Sequence, residues 1–337
     1  MKIGAGLFTS QRRPDDDRPM AALYDELLEL GKAIESAGLD SAWVSEHHFQ
    51  PDGYCSAPLP VLGALAAVTD EIEIGSCVAL APLYDPVRLA EDAIGVELLS
   101  DGRLTLGLAI GSNPDEFEAF GVDPDERAER LTDAIGVLEG AFTPGALAYD
   151  SDFHPISPER TITPTPESVI PIVLGGSAKP AVRRAARRAA GWCSPSALSV
   201  EAIETRVADI RRVRATEGLD GPFSIYVLVH GFVCSPDAPD ERAWEQLKTG
   251  YLYTQRRYAE IFSGENVPAL SQERRETLKE RAIYGTPTTV ADELERYERA
   301  LGADIHVIFR TYQPGIDTAA LRASIRRLGR DVRPLLD

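Results

Sequence analysis

The feature that most limits the fold is an alternation, from one end of the chain to the other, of short apolar or β-branched runs with longer amphipathic ones. Parallel strands need a crossover connection, usually a helix, so this alternation is the pattern of a parallel sheet covered by helices. Lys2 to Phe8 reads as a first strand, Met20 to Ser36 as a helix ended by Gly38, and Ser41 to Glu46 as a second strand. Six further strands follow at Glu71 to Leu80, Leu104 to Ile110, Ile170 to Leu174, Gly191 to Pro195, Phe223 to Val233 and Ile305 to Phe309. Helical patterns separate them at Pro86 to Leu98, Asp125 to Phe142, Lys179 to Ala190, Val200 to Thr216 and Thr288 to Leu301, and Thr318 to Leu328 ends the series.

Eight strands alternating with helices fit a closed (β/α)8 TIM barrel better than an open doubly wound sheet, and a barrel of this length is one domain, residues 1–337. No G-x-G-x-x-G follows the first strand, which argues against a nicotinamide-binding Rossmann unit. Two stretches exceed what the barrel needs and read as insertions, at about 143–168 and 240–286. The first is rich in proline, threonine and aspartate; the second is helical and polar, a candidate lid.

Charge narrows the partners. With 35 lysines and arginines against 53 acidic residues, the net charge of -18 repels nucleic acid and anionic membrane surfaces. Such an acidic chain suits a salt-rich cytosol, where ionic strength screens the repulsion, and equally suits an acidic bias in a GC-rich genome. No apolar run reaches the roughly 18 residues of a membrane span, and Met1 leads directly into a strand without a signal-peptide pattern, so a cytoplasmic location is expected. Cys55, Cys77, Cys193 and Cys234 lie far apart without C-x-x-C spacing; reduced, partly buried thiols are expected rather than a zinc site.

Catalytic groups of a barrel sit where its strands stop. The second strand stops in Trp43-Val44-Ser45-Glu46-His47-His48-Phe49, where side-chain alternation lets one histidine at most enter the mouth as an acid or base. The fifth stops in Val173-Leu174-Gly175-Gly176-Ser177-Ala178-Lys179. Its glycines allow close backbone approach, and the next helix's first-turn amides with the Ser177 hydroxyl would receive a phosphate. Taken alone, a Gly-Gly pair is more often only a turn. Beyond the fourth strand, Arg127 and Arg130 either reach a phosphate or form surface ion pairs with Asp125 or Glu126.

Together these residues resemble the luciferase-like superfamily of flavin-dependent monooxygenases and F420-dependent oxidoreductases. The resemblance runs in order through Glu46-His47-His48-Phe49, Asp85 to Asp92, Ser100-Asp101-Gly102-Arg103, Glu116 to Gly121 with Arg127, and Ile172 to Ser177. It implies that His47 is the active-site base beside the flavin. It places Gly175, Gly176, Ser177 and Arg127 at the flavin phosphate, and Cys77, Val78 and Ala109 against the ring, with a non-proline cis peptide at Cys77-Val78. Luciferase proper has a reactive cysteine and then an arginine where this chain has Ala109 and Ile110, so one phosphate contact is missing and light emission is not expected. The expected activity is oxidation of a small organic substrate with O2 and reduced FMN, supplied by a separate flavin reductase. The alternatives are F420-dependent hydride transfer and a noncatalytic flavin-binding subunit. A homodimer is expected from the resemblance, and the substrate is not readable.

Overall fold

The computed structural model describes residues 1–143, 149, 151–154, 161–196, 198–263, 265 and 267–336. Eight staves close a parallel barrel. They are β1 (Lys2–Phe8), β2 (Ser41–Val44), a third stave made of β3 (Glu73–Ser76) and β4 (Ala79–Leu80), β5 (Leu104–Ala109), β6 (Ile172–Gly175), β7 (Gly191–Ser194), β8 (Ser224–Val233) and β10 (Ile305–Arg310). Closure is made by β10, which pairs with β1 through Gly6 and Arg310 and with β8 through His230 and Arg310. A short strand, β9 (Ile283–Gly285), extends the upper end of β8.

Helices wrap the barrel: α1 (Met20–Ser36), α2 (Pro58–Ala66), α3 (Pro86–Ser100), α4 (Pro114–Phe120), α5 (Arg127–Ala141), α6 (Lys179–Arg188), α7 (Val200–Glu217), α8 (Glu241–Ser263), α9 (Gln272–Arg281), α10 (Pro287–Leu301) and α11 (Thr318–Arg327). Their starts follow local chemistry. Asp85 caps α3 by accepting from the Val87 and Arg88 amides ahead of Pro86, and Ser199 caps α7, which Gly218 ends in the left-handed conformation. The apolar stripe of each helix packs on the outer faces of the strands, which is why the strands are apolar on both sides rather than alternating.

The inside of the barrel is filled. Leu7, Trp43, Cys77, Val173, Cys193, Tyr226, Leu228 and Ile308 form an inner cluster. Within the staves a polar network satisfies itself: Trp43 Nε1 donates to Ser41 Oγ at 2.6 Å, His306 Nε2 lies 2.7 Å from the same hydroxyl, and Tyr226 donates to Glu73 at 2.9 Å. Burial, and then the charge of Lys2, push the His306 imidazole down to about 3, so it is neutral in the fold.

The third stave is broken, where the sequence suggests one strand from Glu71 to Leu80. Ser76 causes the break: its hydroxyl both donates to the Gly107 carbonyl at 2.8 Å and accepts from the Gly107 amide at 2.9 Å, so a side chain replaces the backbone ladder. Only glycine fits opposite, because a Cβ on Gly107 would meet the Ser76 carbonyl oxygen at 1.9 Å. The next peptide, Cys77–Val78, is cis, and so is Gly6–Leu7, which nothing in the sequence signals.

The segment read as a second insertion forms α8, α9 and β9, and α8 lies along the barrel mouth. Most of 144–160, within the stretch read as the first insertion, lies outside the described residues. Among the described residues, no helix is long and apolar enough to cross a membrane.

Candidate active site

The mouth is assembled from strand ends. Immediately past β2, Glu46, His47 and His48 are all buried, and the two histidines take different carboxylates, as their alternation on an extended chain requires. His48 Nε2 lies 2.6 Å from Glu46 Oε1, which also accepts from the Tyr84 hydroxyl at 2.8 Å, while Glu46 Oε2 accepts from the Leu80 amide. This second pair therefore ties the end of β2 to β4 and to the turn beyond it.

His47 has the other environment. Its Nδ1 lies 3.0 Å from Glu116 Oε1 on α4, and the same oxygen accepts from the His48 amide at 2.8 Å. Glu116 is fully buried and its Oε2 has no partner. A carboxylate can only accept, so it fixes the tautomer with the proton on Nδ1 and leaves Nε2 as the basic nitrogen. The His47 ring meets Tyr54 edge-on at 4.9 Å, Tyr258 at 6.0 Å and Phe262 at 6.2 Å, the last two on α8. Exposed Phe49 and Phe120 meet each other beside His48. The mouth is thus an aromatic rim around one imidazole.

Across the barrel, Val78, Ala109 and Gly175 converge. A Cβ on Gly175 would lie 3.0 Å from Val78 Cγ1 and 3.7 Å from the Ala109 Cβ, so the missing side chain leaves a shallow apolar cradle between three half-buried positions. Cys77, one residue before Val78, is buried, its sulfur 2.6 Å from that of Cys193 on β7. Gly176 follows with φ +132°, a conformation that favours glycine, and Trp192 Nε1 donates to its carbonyl at 2.8 Å. Ser177 then leads into α6, whose first turn carries no side-chain cap, leaving its amides for an anion.

Arg206, which the sequence does not single out, holds this turn by donating from Nε to the Ser177 carbonyl at 2.9 Å and from Nη1 to Ala202 at 2.7 Å. Arg127 stands at the start of α5 and donates to the Pro124 carbonyl; no hydrogen bond or ion pair joins it to Gly175, Gly176 or Ser177. Arg130 takes the surface alternative, pairing with Glu126 at 2.9 Å and covering Phe153.

The sequence reading also passes over the far wall. His230 on β8 sits between the side-chain amides of Gln313, 2.9 Å from Nδ1, and Gln255, 3.2 Å from Nε2; burial, and then Arg310, keep it neutral. Tyr54 and Tyr258 share a 2.8 Å hydroxyl contact, and Tyr258 accepts from Arg310 at 2.8 Å. Glu46 and Glu116 both lie in motifs quoted above, and Arg310 ends a strand, so the search for residues at strand ends could have reached them.

A parallel eight-stave barrel with a carboxylate-held histidine at its C-terminal mouth and a glycine cradle opposite is the arrangement of a barrel enzyme. The chain belongs to the luciferase-like monooxygenase family, whose model matches residues 3–304. It is 25% identical over 348 residues to the oxygenase component of a flavin-dependent trigonelline monooxygenase from Acinetobacter baylyi, covering 97% of this chain and 94% of that one. Its fold matches that of the monooxygenase RslO1 from Streptomyces bottropensis with a TM-score of 0.87, at 21% identity and 99% coverage of both chains. The oxygenating constituent of 3,6-diketocamphane monooxygenase from Pseudomonas putida, solved with FMN, matches at 0.79, with 19% identity and 99% coverage of both. An F420-dependent secondary alcohol dehydrogenase matches at 0.76, with 19% identity and full coverage of both. The chain is accordingly a luciferase-like oxidoreductase.

Proposed function

We propose that this chain is an oxygenase component that takes reduced FMN from a separate flavin reductase and uses O2 to oxidise a small organic molecule. The observation that carries the reading is the cradle of Val78, Ala109 and Gly175, whose missing Cβ leaves room for a flat ring, adjoining a glycine turn with uncapped helix amides for a phosphate. The flavin-dependent oxygenase from A. baylyi, similar over nearly the whole chain, supports the cofactor and the two-component arrangement.

Reduced flavin supplies the electrons that activate oxygen. In this reading Gly176 and Ser177 hold its phosphate, with Arg206 keeping their turn in place and Arg127 as a further contact, and Cys77, Val78 and Ala109 back its ring. His47 takes a proton at Nε2 and returns it, while Glu116 stabilises the charge the ring acquires and holds its orientation. Tyr258, Phe262 and the rest of α8 exclude water from the mouth.

The test is an anaerobic titration with reduced FMN and with reduced F420, followed by air and an oxygen electrode. Tight binding of reduced FMN and oxygen uptake dependent on added substrate is the expected result. Selective F420 binding without oxygen uptake would replace this reading by hydride transfer, and flavin binding without turnover would leave a noncatalytic flavin-binding subunit.

A further inference from the structure

We propose that the substrate carries an anionic group, a carboxylate in the first instance, that docks on Arg310 at the closing seam of the barrel. The inference rests on the mouth being the substrate site, as in the reading above, and adds the class of substrate.

Arg310 is the last residue of β10 and is fully buried. Nη1 donates to the Tyr258 hydroxyl at 2.8 Å and Nε reaches the Tyr312 carbonyl at 3.5 Å, whereas Nη2 has no partner. Among the described residues, no carboxylate forms an ion pair with it, in a chain with 18 more acidic than basic residues. A buried guanidinium without a counter-charge is unfavourable until an anion meets it, and its planar fork matches a carboxylate edge-on.

Arg310 is not isolated. Gly6 of β1 lies beside it in register, and the three residues that follow Phe8, namely Thr9, Ser10 and Gln11, are all buried. The Thr9 and Ser10 hydroxyls and Gln11 Oε1 are without partners. So are Gln313 Oε1, three residues beyond Arg310, and the Thr254 hydroxyl, one helical turn before Tyr258 on α8. Native proteins pair nearly all buried polar atoms, so a group of this kind at the seam of a barrel mouth marks a surface built to meet a polar ligand.

Its position suits the chemistry. Arg310 touches Tyr258, Tyr258 touches Tyr54, and the Tyr54 ring lies 4.9 Å from His47. An anion on Arg310 would hold the body of a small molecule against these rings and within reach of the His47 imidazole. Outside lies a cleft lined by further arginines, of which Arg13, Arg256 and Arg257 pair with Asp15, Glu260 and Asp52 and Arg12 donates to the Arg18 carbonyl. Arg310 differs from these in being fully buried and in touching the rings beside His47.

The experiment uses calorimetric titration of the flavin-free full chain with benzoate and with benzamide, its uncharged counterpart. Benzoate should bind at least tenfold more tightly, and Arg310→Gln should abolish the difference while leaving reduced-FMN affinity within a few-fold. Equal binding of the two, or a preference that survives Arg310→Gln, would overturn the inference. Should Arg310→Gln fail to fold, Arg310→Lys keeps the charge and loses the fork; a severalfold loss of benzoate affinity is expected, and an unchanged affinity overturns the inference. Flavin and oxygen are absent from the titration, so its result stands whichever cofactor the chain uses.

Discussion

Glu116 Oε1 lies 3.0 Å from His47 Nδ1 across 69 residues of chain, in a position where the carboxylate is fully buried. The two residues act as a unit because the acceptor fixes which ring nitrogen stays basic. His47→Ala should lower turnover by roughly 100-fold and Glu116→Gln by less, with reduced-FMN affinity little changed in both. Steady-state oxygen uptake alongside an anaerobic flavin titration checks this. Equal losses of turnover and flavin binding would remove His47 from proton transfer.

The cradle makes a prediction about affinity rather than turnover. Gly175→Val would fill the space facing Val78 and Ala109, where even a Cβ lies 3.0 Å from Val78 Cγ1. Reduced FMN should bind at least about tenfold more weakly, a loss of about 1.4 kcal/mol, with the far-UV circular dichroism unchanged. Wild-type affinity in this variant would place the flavin elsewhere.

His306 predicts how stability follows pH. Its pKa is about 3 in the fold, against an ordinary value of 6.5, so the unfolded chain takes up the proton first as pH falls. The stability is present above pH 6.5 and is lost between 6.5 and 3; from pH 7 to 5 the loss is about 2 kcal/mol. Urea midpoints at the two pH values should differ less for His306→Gln than for the native chain, and identical shifts would refute the assignment.

All four cysteines are free and buried. Burial pushes the Cys55 thiol up to about 11, and the Cys193 thiol is raised by its contact with Cys77 and by burial. A thiolate-specific disulfide reagent at neutral pH should therefore leave the native protein almost unlabelled over minutes and should count four thiols in denaturant. Rapid labelling of the native chain would show that the barrel interior opens.

Much of the frame is legible in the sequence alone. The run Lys2 to Phe8 matches β1 residue for residue, and Met20 to Ser36 matches α1, because apolar period and end signals are local properties. The break in the third stave was not legible, since it depends on Ser76 meeting Gly107, a residue 31 positions away. His47 and the Gly175–Gly176 turn could be picked out because each lies at a strand end with a recognisable neighbour. Glu116, Tyr258 and Arg310 could not be joined to them, because sequence separation carries no information about which strand ends face one another.

The sequence by itself determined the alternation, hence the parallel sheet and its helical cover, together with the strand-end motifs and the acidic surface. Tertiary structure decided which of those motifs meet. Closure of β10 onto β1 and β8 brings the two ends of the chain together and sets Arg310 beside His230. The packing of α4 and α8 over the mouth gives His47 its carboxylate and its aromatic wall. The physical reason is that local pattern fixes which face of an element is apolar, whereas the partner of a buried polar group is selected by burial itself, which excludes water and leaves it to find a match among groups distant in the chain.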